Sequence, residues 1–153
     1  EDGIRDTSVT GGSDVCSSDL KGKIMKKILI MMFIASNLLA EPRVYFIEPK
    51  NNQILTERAV TVKFGLEDFG VAPAGYNIPN TGHHHLIIDS FLPEDLTKPI
   101  PADEYHLHFG LGQTETVIYL EPGEHSLRLV LGNYLHIPHE EPIYSEEITV
   151  IVL

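Results

Sequence analysis

AVTVKFGL, residues 59–66, alternates Val60, Val62, Phe64 and Leu66 with Thr61, Lys63 and Gly65. A period of two puts the four apolar side chains on one face of a strand, with the polar residues and glycine on the other. Working outward, Val44 to Ile47 is β-branched and aromatic and reads as the strand before it. His84 to Asp89, Tyr105 to Phe109, Thr114 to Leu120, Ser126 to Leu131 and Glu147 to Val152 follow as further strands. Turn residues separate them, as in Glu121-Pro122-Gly123-Glu124. No convincing amphipathic helix follows Glu41. The expected fold is all-β, an antiparallel immunoglobulin-like β-sandwich of about seven strands. Two connections, Glu67 to Gly82 and Ser90 to Glu104, are long and rich in turn residues, a pattern more often functional than decorative.

Ahead of these strands the chain reads differently. Met25-Lys26-Lys27 opens a basic n-region, Ile28 to Leu39 is apolar except for Ser36 and Asn37, and Ala40 precedes a credible cleavage point at Glu41-Pro42. Residues 25–40 are therefore expected to be a signal peptide, because the apolar stretch falls short of the ~20 residues needed to span a bilayer. Residues 1–24 have no apolar periodicity and resemble translated adapter read-through, a gene-model artefact that also holds the one cysteine, Cys16. Residues 41–153 are expected to form a single domain, periplasmic or secreted. It has no cysteine for disulfides, thiolate metal sites or lipoprotein attachment.

The charge is carried by that domain. From Glu41 onward six basic residues (Arg43, Lys50, Arg58, Lys63, Lys98 and Arg128) face seventeen acidic ones, and the net charge is -11. Such a surface repels nucleic acid and anionic lipid and concentrates cations. A nucleic-acid partner and stable membrane insertion after signal removal are not expected.

Seven of the eight histidines fall in three motifs: His83, His84 and His85 in GHHHLIID, His106 and His108 in HLHF, and His136 and His139 in HIPH. Alternation puts His83 and His85 on one strand face and His84 with Leu86 and Ile88 on the other. His106 and His108 share the face opposite Leu107 and Phe109. With the leucine-bearing faces turned inward, His83, His85, His106 and His108 emerge on the outer face of a sheet, provided both strands belong to the same one. His136 and His139 are expected in a loop after the Gly132-Asn133 break. Neutral imidazole is a favoured ligand for zinc and copper, and two histidines at i and i+2 on a strand can supply two ligands to one ion. The metal candidates are thus His83, His85, His106, His108, His136 and His139, with copper(II) or zinc(II) as the ion and no organic cofactor. Asp89, Asp103 and Glu104 are candidates to fix imidazole tautomers. His84 is expected in the core, and His125, alone at the start of the PGEHSLRL strand, is expected to make structural hydrogen bonds.

GHHHLIID, PIPADEYHLHFGLGQTET and PGEHSLRLVLGNYLHIPH together resemble the bacterial family catalogued as domain of unknown function 4399, over about Val44 to Val150. The resemblance implies a small exported domain behind a signal peptide and carries a histidine pattern onto His83, His84, His85, His106, His108, His136 and His139. It also leads one to expect an acid after LVLG, where this chain has Asn133. The function expected is a metal-binding carrier, buffer or sensor. The alternative is a non-catalytic module that binds an envelope protein through loop residues such as Phe69, Tyr76 and Phe91, its histidines forming a structural network. A three-histidine zinc site with an open position is the one enzymatic reading kept, since HExxH, nucleophile-elbow and phosphate-loop patterns are all missing.

Overall fold

The structure is a computed structural model that describes residues 41–153. The expected signal peptide at 25–40 and the segment 1–24 lie outside the described residues. The strands are β1 (Arg43–Glu48), β2 (Gln53–Leu55), β3 (Ala59–Glu67), β4 (Gly70–Val71), β5 (Thr81–Ile88), β6 (His106–His108), β7 (Glu115–Tyr119), β8 (Gly123–Gly132) and β9 (Ile148–Val152). Among the described residues there is no helix.

The strands form two sheets, one ordered β1-β3-β7 and one ordered β2-β9-β8-β5-β4 with β6 also on β5. Inward residues of both make the core: Val44 and Phe46, Val60, Val62 and Phe64, and Ile118 from the first sheet meet Leu86, Leu127, Leu129, Leu131, Val150 and Val152 from the second. This is the β-sandwich that the alternation of β3 implies, with Thr61 exposed and Val60, Val62 and Phe64 buried. Each of the seven expected strands is present in part. β2 and β4 are additional; each is three residues or shorter and pairs in parallel, β2 with β9 and β4 with β5. Both lie in stretches whose polar and glycine content hides a strand from pattern reading.

β5 departs from simple alternation, because Gly82 to Ile87 are all buried. The reason lies in the long Ser90 to Glu104 connection, which folds back over the outer face of the second sheet. Ile100 from that connection packs on Ile87 and Val130, with Leu92 at the edge. A strand covered on both faces shows continuous burial. The outer face that carries the histidines is therefore roofed by a loop.

Candidate metal centre

Three strands bring the histidines together. β5 pairs with β6 in antiparallel register, so that His85 stands opposite His108 and Ile87 opposite His106. On its other side β5 pairs with β8, placing His83 opposite Gly132 and His85 opposite Val130. Residues paired in this way share a face. His83, His85 and His108 consequently point to one place, and one ring nitrogen from each lies within 4.8 Å of the others. The His83 and His85 Nε2 atoms are 3.1 Å apart. Two nitrogens held ~2.0–2.1 Å from one tetrahedral ion would be separated by about 3.3 Å, so this spacing suits shared coordination.

Electrostatics prepares the same three rings. Burial, followed by the neighbouring His108 and His136, lowers His83 to about 4. Burial, followed by His83 and His108, lowers His85 to about 3. Burial and then His136 lower His108 as well. All three are neutral at neutral pH and offer lone pairs without first losing a proton. Without an ion the His83 and His85 Nε2 atoms hydrogen-bond to one another, while both Nδ1 atoms are buried without a protein partner. His108 is exposed and gives the cluster a side open to solvent.

Two glycines make the space. A Cβ on Gly132 would stand 2.8 Å from His85 Nε2, and one on Gly110 would collide with the His108 ring. Both belong to motifs quoted above, HLHFG and LVLG, but strand alternation gives no hint of their purpose. Gly110→Ala is expected to push the exposed His108 ring out into solvent. Metal affinity should then fall at least about tenfold while stability stays within about 0.5 kcal/mol, because a ring already at the surface can move freely. Titration of that variant alongside its thermal melt checks both halves.

The remaining histidines separate by environment. His106 lies on the same face one residue pair further along, with its Nδ1 2.8 Å from Asp103 Oδ1. That contact, first among its causes, lowers Asp103. Asp103 thus orients an imidazole, but of a histidine outside the close trio. His139 is also outside it and packs edge-on against Phe69 at 4.9 Å. This contact takes Phe69 out of the exposed aromatic patch considered for a protein partner, whereas Tyr76 and Phe91 are exposed. His136 stands beside the trio, its ring centroid 4.6 Å from His108 and 5.1 Å from His83. His84 is in the core, as its alternation implies, 5.0 Å from the Phe64 ring and lowered to about 4 by burial. His125 is structural: Nδ1 is 2.7 Å from Asp89 Oδ2 and Nε2 is 2.8 Å from the Glu121 carbonyl. Burial lowers its pKa, but the Asp89 and Glu121 acceptors outweigh burial and the net shift is upward. Among the described residues no hydrogen bond joins Glu104 to these rings, and Asp89 pairs with His125 alone among them.

The expected acid after LVLG is replaced by a residue with a backbone task. Asn133 Oδ1 accepts the N–H groups of Leu135 (2.8 Å) and Ile137 (3.2 Å). It shapes the HIPH turn and does not face the cluster.

The family described as domain of unknown function (DUF4399) matches residues 62–153. The chain belongs to that family. All three histidine motifs of this DUF4399 chain lie inside the matched region. No curated protein matches the sequence. Among solved structures, the DUF4399 chain is similar to an endo-beta-1,4-mannanase from Thermotoga petrophila at 14% identity, with a TM-score of 0.48, over 95% of this chain and 30% of that one. It is also similar to fibronectin(III)-like modules of Clostridium thermocellum CbhA at 10% identity, with a TM-score of 0.37, over 76% of this chain and 48% of that one. The DUF4399 chain thus spans less than half the length of either structure.

Proposed function

We propose that this chain is an exported domain that binds one copper(II) or zinc ion through His83, His85 and His108, and works in the cell envelope as a carrier, buffer or sensor. The observation that supports the reading is the convergence of three neutral imidazoles from two paired strands, with ring nitrogens within 4.8 Å of one another. Nitrogen ligands suit copper and zinc over magnesium and calcium, which take oxygen. The net negative charge of the domain raises the local concentration of cations around it.

The test is a titration of the chelator-stripped protein with zinc and with copper(II). One ion per chain, bound more tightly than micromolar, is expected. His108→Ala should weaken binding at least about a hundredfold, since it removes a direct ligand, whereas His106→Ala should change it by less than about tenfold. Absence of stoichiometric binding in the unaltered chain would refute the reading, and so would full affinity in His108→Ala.

A further inference from the structure

Resting on the metal-binding reading, we propose that His136 is a fourth ligand, which makes the centre a closed tetrahedral site of four imidazoles suited to zinc, and that Asn133 is the residue that positions it. The rings of His83, His85, His108 and His136 form six pairs. Five of their centroid separations lie between 4.6 and 5.1 Å, and the sixth, His85 to His136, is 6.1 Å. A nitrogen ~2.0–2.1 Å from an ion puts its ring centroid about 3.2 Å away, so four tetrahedral imidazoles have six equal separations of about 5.2 Å. A square plane, the arrangement copper(II) prefers, would instead give four separations near about 4.5 Å and two near about 6.4 Å. If His85 and His136 formed one diagonal of a square, His83 and His108 would form the other. Those two rings are only 4.9 Å apart. The centroid pattern of five short and one long is that of a tetrahedron opened at His136, whose ring nitrogens stand outside the 4.8 Å grouping of the other three, so the fourth corner closes by a turn of that ring onto the ion.

The fourth corner differs in kind from the other three. His83, His85 and His108 are set by strand register, whereas His136 comes from the HIPH loop and has a left-handed backbone, φ 66°. Outside glycine that conformation is uncommon and costs about 1–3 kcal/mol, so it persists where surrounding bonds over-determine it. Here the bonds are explicit. Asn133 Oδ1 accepts from the amides on either side of His136, those of Leu135 and Ile137. The His136 N–H donates to the Asn133 carbonyl at 2.9 Å, and the Asn133 N–H donates to the Ile137 carbonyl at 2.8 Å. The roofing loop adds a further tie, as Ile100 N–H donates to the His136 carbonyl at 2.8 Å. Without His136 the centre would be an open three-histidine site with a place for water, the arrangement that hydrolytic zinc uses. With it the centre is closed, which suits storage, transfer or sensing.

Cobalt(II) bound to the full chain in place of zinc distinguishes these arrangements. The unaltered protein should show the intense visible absorption of four-coordinate cobalt(II), unchanged between about pH 7 and 9 because no bound water is present to ionise. In His136→Ala a water takes the fourth position, and the spectrum should titrate with a midpoint near about 7, with zinc affinity at least about tenfold weaker. Asn133→Ala should behave like His136→Ala. Asn133→Asp should restore the unaltered spectrum, because a carboxylate oxygen accepts the same two N–H groups. A spectrum in the unaltered chain that titrates near 7, or one that His136→Ala leaves unchanged, overturns the four-ligand site while leaving metal binding intact. An Asn133→Ala spectrum identical to the unaltered one overturns the positioning role, and if that variant does not fold, His136→Ala decides the coordination. No binding of cobalt(II) or zinc by the unaltered chain overturns the metal reading and this inference together.

Discussion

Gly132→Ala is expected to abolish metal binding and to destabilise the fold by about 1–3 kcal/mol, the usual cost of forcing extra volume into a packed interior. The added methyl would lie 2.8 Å from His85 Nε2 and 3.1 Å from its Cδ2, and 3.5 Å from the His136 carbonyl carbon. His85 is 1% exposed, its neighbours on both sides are buried, and its partner across the sheet is Val130. The ring cannot swing into solvent as that of His108 can after Gly110→Ala. Relief must come from shifting β5 against β8 or from driving His85 off its preferred rotamer, and either moves the Nε2 atom that faces His83. The pair of glycine variants therefore forms a controlled comparison: both insert one methyl beside one imidazole of the trio, but a single one is costly to the fold. Chemical denaturation and zinc titration on the two proteins measure the difference. Unaltered affinity in Gly132→Ala would show that His85 has freedom that its burial denies.

The strand pattern carried much of this centre and missed what depends on distant neighbours. Alternation in GHHHLIID separates His83 and His85 from His84, and the structure agrees ring by ring, with His84 against Phe64 in the core. HLHF places His106 and His108 on a common face just as correctly. Which of the two stands opposite His85 is a matter of register between strands about twenty residues apart, and register is fixed by the loops and core between them. The roof over β5 was equally hidden. Ile100 lies in a connection whose LPEDLTKPIPAD composition reads as loop, and only the folded chain shows that loop covering Ile87 and Val130. Asn133 shows a different limit: its neighbours in sequence announce a turn, but the identity of the amides it accepts, Leu135 and Ile137, is three-dimensional information. The long loops proved to have distinct tasks, one roofing the histidine face and the other contributing β4 to the edge of β5.

Acid should begin to destabilise the metal-free protein below about pH 6.5, before its carboxylates titrate. His83 and His84 are lowered to about 4 and His85 to about 3, against an ordinary value of 6.5 in the unfolded chain. The sign follows from which state binds protons. Above pH 6.5 these imidazoles are neutral in both states and contribute no pH dependence. As pH falls below 6.5 the unfolded chain takes up protons that the folded chain refuses, so stability is lost until pH passes the folded values. Each buried histidine can cost up to about 1.4 kcal/mol per pH unit in this window, so the three together can cost several kcal/mol by about pH 5. That is comparable to the whole stability of a typical domain, about 5–15 kcal/mol. His125 works in the opposite sense: its folded value is raised, so its contribution is present below 6.5 and is lost as pH rises through the folded value. It offsets part of the loss, but one histidine stands against three. Circular dichroism followed from pH 7 to 3 in a fixed low concentration of urea should show a transition between about pH 5 and 4. His84→Leu should move that transition to lower pH without changing zinc affinity, since His84 faces the core, away from the trio, and leucine conserves an apolar contact with Phe64. Saturating zinc should raise stability at neutral pH by mass action and steepen the acid transition, because protons and metal then compete for His83 and His85. A fold unchanged down to pH 3 in the metal-free state would mean that these imidazoles accept protons where they stand, and the electrostatic preparation of the site would have to be abandoned.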